Sequence, residues 1–234
     1  IYPSKELWLL ANCHAFKSGK KGLLGHKRTG CKELVYSQSE CISYGLEFAV
    51  DIVIQLLIDQ KVSELEKIEN KTSSANYLER IELLNNVIIE YENRYDDFVK
   101  IITKEMGAPI WLSEKAQAST GIKNIHETLD ALKDYQFERP EGDYTLIKEP
   151  IGVIGMITPW NWPMNQITTK VSAAIASGCT MILKPSEISP YCAMLLAEVI
   201  DKAGLPKGVF NLVNGYGPIV GAALSEHVNV DMMS

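Results

Sequence analysis

Apolar residues recur at helical spacing through the middle of the chain, from Asn76 to the region before Pro140. The pattern predicts two successive amphipathic helices, the second ending at Gly107, and a third helix that ends before Pro140. The positions that define these stripes are Leu78, Ile81, Leu84, Val87, Ile88, Tyr91, Tyr95, Phe98, Val99, Ile102, Ile122, Ile125, Leu129 and Leu132. We interpret them as core-facing positions.

After Pro140 the pattern changes to short apolar strands that alternate with helical segments. A separate, half-exposed strand is predicted at residues 144–147. Buried strands are then predicted at 152–157, 180–183, 209–213 and 228–232, with helices at 164–177, 191–203 and 218–225 between them. This alternation predicts an α/β fold, an incomplete Rossmann-like doubly wound parallel sheet of the dinucleotide-binding type.

Composition agrees with a globular chain, since 46% of the 234 residues are hydrophobic and 22% are charged. The net charge of −6 is uneven, with +5 on residues 1–34 and −11 on the rest. A basic start can attract nucleic acid, but residues 17–32 lack interleaved aromatic residues. We therefore favour a solvated lead-in and expect no nucleic-acid partner.

The most apolar window, residues 46–58, is broken by Glu47 and Asp51, so we predict no transmembrane helix and no membrane partner. The chain starts at Ile1 rather than Met and stops at Ser234 after an apolar-rich stretch, which suggests a fragment.

The five cysteines are scattered without a CxxC pair, which favours a reducing, cytoplasmic setting. A zinc site built from Cys13, His14, His26 and Cys31 would lack the tight ligand pairs that such sites use, so no metal is expected.

Ligands of open parallel sheets bind beyond the carboxyl ends of the strands, where three segments carry candidate chemistry. The first is 158–163, in which Pro159 and Pro163 fix the backbone around Trp160, Asn161 and Trp162. The Asn161 amide does not titrate and could stabilise negative charge that develops on an oxygen. A structural loop that caps the strand is an equally good reading of these residues.

The second segment follows the next strand and contains Lys184, Ser186 and Glu187. A carboxylate accepts from the diol of a ribose and an ammonium donates to it, although an ordinary surface pair is the simpler reading of these two residues alone. The third segment has Gly215, Gly217 and Gly221, a GxGxxxG spacing that is one residue longer than the dinucleotide fingerprint. It opens a helix, whose N-terminus favours an anion.

Neither Cys179 nor Cys192 is predicted to be a nucleophile. Cys179 precedes a buried strand, and Cys192 lies early in a helix with no local histidine or helix N-terminal geometry to lower its pKa. Core packing is the better interpretation of both.

Together the three segments resemble the aldehyde dehydrogenase superfamily, which carries EPxGVxGxITPWNxP, SGCTxxLKPSE and LPxGVxNxVxGxG at matching separations. Here they read EPIGVIGMITPWNWP (149–163), SGCTMILKPSE (177–187) and LPKGVFNLVNGYG (205–217). The resemblance runs from about Arg80 to Ser234. Residues 1–60 do not show the usual opening of the family.

The resemblance implies NAD(P)-dependent oxidation of an aldehyde to a carboxylic acid. A cysteine forms a thiohemiacetal, hydride passes to the nicotinamide, and water activated by a glutamate hydrolyses the resulting thioester. Asn161 matches the oxyanion-hole asparagine. The cofactor-binding positions would be Ile157, Thr158, Pro159, Trp160, Lys184, Ser186, Glu187, Gly217 and Gly221. NAD is favoured over NADP because Glu187 would repel a 2′-phosphate.

In this reading residues 1–60 are a divergent lead-in, and 61–234 form a partial NAD(P)-binding domain. That domain comprises a helical lead (76–136), an oligomerisation-arm strand (about 140–150) and Rossmann-like βαβ units (151–234). The arm implies a homodimer or homotetramer, and the catalytic cysteine and glutamate are expected beyond Ser234. The alternative is a catalytically inactive, dehydrogenase-like chain that binds a nucleotide or oligomerises. The aldehyde itself remains open.

Overall fold

A layer of helices begins the part of the chain that the computed structural model describes, residues 75–234. Helix α1 is Ala75–Asn93 and α2 is Tyr95–Met106. A single α turn, α3 (Ile110–Leu112), leads through a π-helical stretch, Ser113–Ala118, into α4 (Ser119–Lys133). The three predicted helices are present, whereas the helical residues from Ile110 to Ala118 were not predicted.

Glycines in left-handed conformation end two of the helices. Gly107 has a φ of 75° and donates to the carbonyl of Thr103 at the end of α2. Gly178 has a φ of 78° and ends the long helix α5 (Pro163–Ser177) in the same way. Because a residue with a Cβ is strained at such φ values, these glycines make the helix ends readable from the sequence.

A two-stranded antiparallel hairpin follows α4 and consists of β1 (Glu138–Glu141) and β2 (Tyr144–Ile147). The strand predicted at 144–147 is therefore present, but it is exposed along its length rather than half-exposed. Its partner β1 was not predicted, since the sequence Glu-Arg-Pro-Glu has neither apolar alternation nor the residues that favour strands.

The parallel sheet contains β3 (Val153–Ile157), β4 (Thr180–Lys184), β5 (Phe210–Leu212) and β6 (Met232–Met233) in the order β5-β4-β3-β6. All three pairings are parallel. Two strands are added on one side of β3 and the chain then returns to its other side. This reversal is the topological switch point at which doubly wound sheets bind ligands, and the predicted fold class is confirmed.

Both faces of the sheet are covered, by unequal layers. Ile154, Met156 and Leu183 face the larger core, with α5 and α6 (Tyr191–Lys202) packed over them. Val153 and Ile182 face a smaller cluster that is completed by Val220 and Leu224. Those two residues belong to the crossover between β5 and β6, so this thinner layer holds the glycine-rich segment against the sheet.

The crossover from β5 to β6 differs from the prediction in two respects. The helix expected at 218–225 is a π-helical stretch, Gly217–Gly221, continued by α7 (Ala222–Glu226). The strand expected at 228–232 shortens to β6 because a turn from His227 to Val230 uses its first residues. Asp231 then bonds to Val153 through both its backbone N–H and its carboxylate.

Helix α6 has its N-terminus capped from another helix. The Glu105 carboxylate on α2 accepts from the backbone N–H groups of Tyr191 at 2.7 Å and Cys192 at 3.0 Å. A carboxylate at this end satisfies two unpaired donors and interacts favourably with the helix dipole. The contact fixes the end of the loop that follows β4.

Within residues 75–234, no helix combines the length and the apolar character needed to cross a bilayer. The same region contains no group of three or more His, Cys, Asp or Glu side chains arranged to hold a metal ion. The predictions for residues 1–60, the basic stretch at 17–32, the window at 46–58 and the Cys13, His14, His26 and Cys31 cluster lie outside the described residues.

Candidate nucleotide-binding site

The loop after β3 lies at the switch point of the sheet. Ile157 is the last residue of β3, and the backbone N–H of Thr158 donates to the carbonyl of Lys184 at 3.2 Å. Thr158 is buried, whereas Pro159, Trp160 and Asn161 are exposed. The carboxyl ends of β3 and β4 are thus tied together, and the loop extends from them to the surface.

The loop after β4 is organised by a buried lysine. The side chain of Lys184 is 2% exposed, and its ammonium donates to Glu187 Oε2 at 2.9 Å and to the carbonyl of Pro185 at 3.0 Å. Among the described residues these bonds use two of its three donors. Ser186 Oγ accepts from the backbone N–H of Ile188 at 3.2 Å, which tightens the turn.

Glu187 is the carboxylate at the centre of this loop. Its pKa is lowered first by its own backbone N–H and then by the hydrogen bond from Lys184, burial opposes this shift, and the backbone N–H of Gly217 makes the smallest contribution. Since 40% of the side chain is exposed, the carboxylate still faces solvent. Lys184 and Glu187 therefore form an ion pair at the end of β4, and the effect of Gly217 on the pKa of Glu187 indicates that the glycine-rich segment lies near this pair.

The two later glycines of the third segment differ in their surroundings. A Cβ on Gly217 would meet no atom within 4 Å, and its φ does not require glycine. A Cβ on Gly221 would lie 3.5 Å from Ile157 Cδ1, an ordinary contact that places this glycine against the end of β3. Gly217 thus leaves open space beside Glu187 that packing within the described residues does not explain.

Two side chains that the sequence analysis did not single out also anchor the loop after β3. Ser189 Oγ donates to the carbonyl of Trp160 at 3.4 Å, and Gln117 Nε2 lies 3.5 Å from the carbonyl of Asn161. Both residues are buried. The sequence signal that could have identified them is a polar residue on an otherwise buried helix face. Gln117 is such a residue, since it lies four residues before the buried Gly121.

The two described cysteines are free and buried. Cys192 is the second residue of α6, so the expectation that it lacks helix N-terminal geometry was wrong. Its pKa is nevertheless raised far above the ordinary value by burial first, and then by the Glu105 carboxylate. The thiol is therefore protonated, which agrees with the interpretation of Cys192 as a core residue.

Comparison with known proteins gives a consistent answer. The aldehyde dehydrogenase family model matches residues 57–234. A curated relative from Staphylococcus aureus (strain MSSA476), assigned by name to the aldehyde dehydrogenases, is 48% identical over 177 residues, which are 76% of this chain and 37% of the relative. The chain thus spans little more than a third of the length of that relative.

Solved structures agree with this assignment. An aldehyde dehydrogenase from Bartonella henselae has a TM-score of 0.72 at 44% identity, over 79% of this chain and 38% of the other. A mutant aldehyde dehydrogenase from Pseudomonas syringae, crystallised with NAD+ and octanal, has a TM-score of 0.72 at 38% identity, over 81% and 37%. From its motifs, its sheet and these matches, the chain belongs to the aldehyde dehydrogenase family.

Proposed function

We propose that the chain provides the nucleotide-binding part of an enzyme that oxidises an aldehyde to a carboxylic acid with NAD(P)+. By the whole enzyme we mean the chain together with the part of the family's length that it does not span. The observation that carries the proposal is the meeting of two loops at the switch point, where the N–H of Thr158 donates to the carbonyl of Lys184 and the Lys184 ammonium donates to Glu187, with the backbone N–H of Gly217 also lowering the pKa of that carboxylate.

The residues at this junction fit a dinucleotide. The ionised Glu187 would accept hydroxyl hydrogens of a ribose, and Lys184 has one further N–H that could donate to the same diol. The open space beside Gly217 would admit the adenine and pyrophosphate groups of the dinucleotide, and Gly221 would lie behind them. Ile157, Thr158, Pro159 and Trp160 form the wall, while Ser186 holds the turn. The relative from Pseudomonas syringae was solved with NAD+, which supports this assignment.

Thr158 supplies a further test of the fit. Its Oγ1 is buried, and no hydrogen-bond partner for it exists among the described residues. A buried hydroxyl without a partner costs about 1–3 kcal/mol, so a polar group of a bound nucleotide would offset that cost.

Asn161 is the proposed oxyanion residue. It lies on the exposed part of the loop, where its amide can reach a bound aldehyde, and its backbone is fixed from the helical layer. When bound, NAD supplies the acceptor for the two electrons that leave the aldehyde. The amide of Asn161 donates to the aldehyde oxygen as negative charge develops there, and it does so at any pH because it does not titrate.

We place the catalytic cysteine and the glutamate base beyond Ser234, in the part of the whole enzyme that the chain does not span. The properties of the described thiols support this placement, since Cys179 and Cys192 are buried and the pKa of Cys192 is raised. Two free thiols also suit a reducing compartment, for which we propose the cytoplasm.

The hairpin β1–β2 is the proposed oligomerisation arm. Tyr144, Leu146 and Ile147 are all exposed on it, as is Ile151 just after it. Exposed apolar side chains grouped on one ribbon are typical of a surface that is covered in an assembly. A homodimer or homotetramer of the whole enzyme would cover them.

Two measurements test the proposal, the binding of NAD+ and the rate of aldehyde oxidation. We expect NAD+ to bind the 234-residue chain and to quench its tryptophan fluorescence, and we expect the chain alone to leave aldehyde unchanged. In the whole enzyme Asn161→Ala should lower kcat about 100-fold or more with little change in NAD+ affinity. A near-normal kcat would make Asn161 a structural residue.

The second candidate is a chain that binds a nucleotide or oligomerises without catalysis. It is favoured by the absence of an accessible, ionisable thiol among the described residues. The two candidates differ in one measurement, NADH formation by the whole enzyme with a panel of aldehydes. Activity with any of them excludes the non-catalytic reading, and NAD+ binding without activity supports it.

A further inference from the structure

The π-helical stretch Ser113–Ala118 carries a polar face into the protein interior. Ser113 and Gln117, four residues apart, are 0% and 1% exposed. Burial of an amide is unfavourable unless its polar atoms are paired, and π-helical insertions occur frequently at functional sites. Gln117 therefore needs an explanation other than space filling.

The backbone of this stretch is held firmly by hydroxyl groups of the neighbouring helices. Tyr91 on α1 donates to the carbonyl of Ala118 at 2.9 Å, and Tyr95 on α2 donates to that of Glu114. Thr103 Oγ1 also donates to Ser113 Oγ at 2.9 Å. The Gln117 side chain thus projects from a fixed support.

From this support the Gln117 amide reaches the loop that carries Asn161. Its Nε2 lies 3.5 Å from the carbonyl oxygen of Asn161 and 3.2 Å from Met106 Sδ. Exchange of the amide oxygen and nitrogen would bring two oxygens together, so the donor must face the loop. At 3.5 Å the bond is long, as hydrogen bonds of catalytic sites often are in structures without substrate.

The oxygen of the same amide indicates that Gln117 does not increase the stability of the fold. Gln117 Oε1 is buried with no partner among the described residues, a cost of about 1–3 kcal/mol that an apolar side chain would avoid. Methionine has almost the same length and would fill the same space. Methionine could reproduce neither donation of Nε2, the one to the carbonyl of Asn161 nor the weaker one to Met106 Sδ.

We propose that Gln117 is a positioning residue, which fixes the peptide of Asn161 so that the side-chain amide is held where an oxyanion develops. The inference rests on the proposed function of Asn161. A positioning role also explains why the loop is anchored at three backbone groups, the Thr158 N–H, the Trp160 carbonyl and the Asn161 carbonyl. A displacement of about 1 Å at a reacting group can cost up to 100-fold in rate.

The test compares Gln117→Met with Met106→Leu, which removes the second contact of Nε2 and leaves the bond to Asn161 in place. In the 234-residue chain, Gln117→Met should accelerate hydrogen exchange about fivefold or more at the bonded amides that flank the loop, Thr158 to the Lys184 carbonyl and Gln166 to the Trp162 carbonyl, without lowering the unfolding midpoint. Met106→Leu should leave exchange in the loop unchanged. Unaltered exchange in Gln117→Met would contradict the proposal.

Kinetics of the whole enzyme separate this inference from the proposed function. Gln117→Met should lower kcat about tenfold at unchanged KM for NAD+, and should have no additional effect in an Asn161→Ala background. An effect of the same size in both backgrounds would show a role independent of Asn161 and overturn the inference. If Asn161→Ala is slow while Gln117→Met has normal kcat, only the inference fails; if Asn161→Ala is itself near normal, the proposed function of Asn161 fails with it.

Discussion

At Glu187 a single carboxylate pairs with the buried Lys184 and faces solvent as well. Its pKa is lowered, with its own backbone N–H as the largest cause and Lys184 and Gly217 contributing. A depressed pKa means that the charge and its hydrogen bonds are present above the ordinary value of about 4.3 and are lost only when the pH falls through the lowered value. Glu187 is therefore ionised over the whole working range of pH.

The charge of Glu187 should determine which dinucleotide is preferred. In the whole enzyme Glu187→Gln should narrow the preference for NAD+ over NADP+ by roughly tenfold, because the neutral amide does not repel a 2′-phosphate and accepts a diol less strongly. The measurement is the ratio of kcat/KM for the two cofactors at about pH 8, where both Glu187 and the 2′-phosphate of NADP+ are fully ionised.

A matched control is Glu198→Gln, which removes the same charge from an exposed position on α6. We expect it to leave the cofactor ratio as it is. An unchanged ratio in Glu187→Gln would remove the argument that this carboxylate selects NAD+.

Residues at strand ends were predictable because their chemistry is local. Lys184 and Glu187 are three positions apart just after an apolar strand, and the structure pairs them. The effect of Gly217 on the pKa of Glu187 and the contact of Gln117 with Asn161 were not predictable, since each involves segments that only the tertiary fold brings together. No local pattern encodes such a distance.

At the scale of elements, α4 and α5 pack against each other through polar contacts along their length. Asn124 Nδ2 lies within hydrogen-bond distance of oxygens on Asn165, Thr168 and Thr169, at 2.8–3.2 Å. Further along, the hydroxyls of Thr128 and Ser172 are 2.7 Å apart. The small residue Gly121 permits this approach, because a Cβ there would lie 2.5 Å from Tyr91 Oη and 3.0 Å from Met164 Cβ.

We expect Gly121→Ala to destabilise the chain, although alanine favours a helix by about 1 kcal/mol over glycine. Overpacking costs about 1–3 kcal/mol, and Tyr91 cannot move away without breaking its bond to Ala118. The net effect should be a loss of up to about 2 kcal/mol, measured as the free energy of unfolding in urea. Gly217→Ala is the control, since open space surrounds that position and stability should not change. A more stable Gly121→Ala chain would contradict the described packing.

Elements with their own end signals were predicted well, and the others were not. Gly107 and Gly178 marked helix ends, and short apolar runs between helical segments marked β3 and β4. The strand β1 was missed because cross-strand pairing, and not its own composition, makes it a strand. The π-helical turns were missed because their wider hydrogen bonding has no residue preference strong enough to read from one sequence.

For the whole molecule, the exposed arm leads to a prediction about assembly. In the whole enzyme the double substitution Leu146→Asp and Ile147→Asp should reduce the oligomer to a smaller species, because buried carboxylates would replace apolar contacts. Light scattering after size exclusion measures the mass. Glu138→Gln on the partner strand is the control and should leave the mass unchanged, whereas a wild-type mass for the double variant would show that the arm does not hold the assembly together.

The strand order β5-β4-β3-β6 also has a consequence for the order of folding. β3, β4 and β5 are joined by successive crossovers, whereas Asp231 meets Val153 across 78 positions of the chain. Contacts between distant positions form late, because closing a long loop costs more entropy. The crossover that carries Gly217 should thus dock after the rate-limiting step. A bound nucleotide would then slow unfolding and leave the refolding rate nearly unchanged.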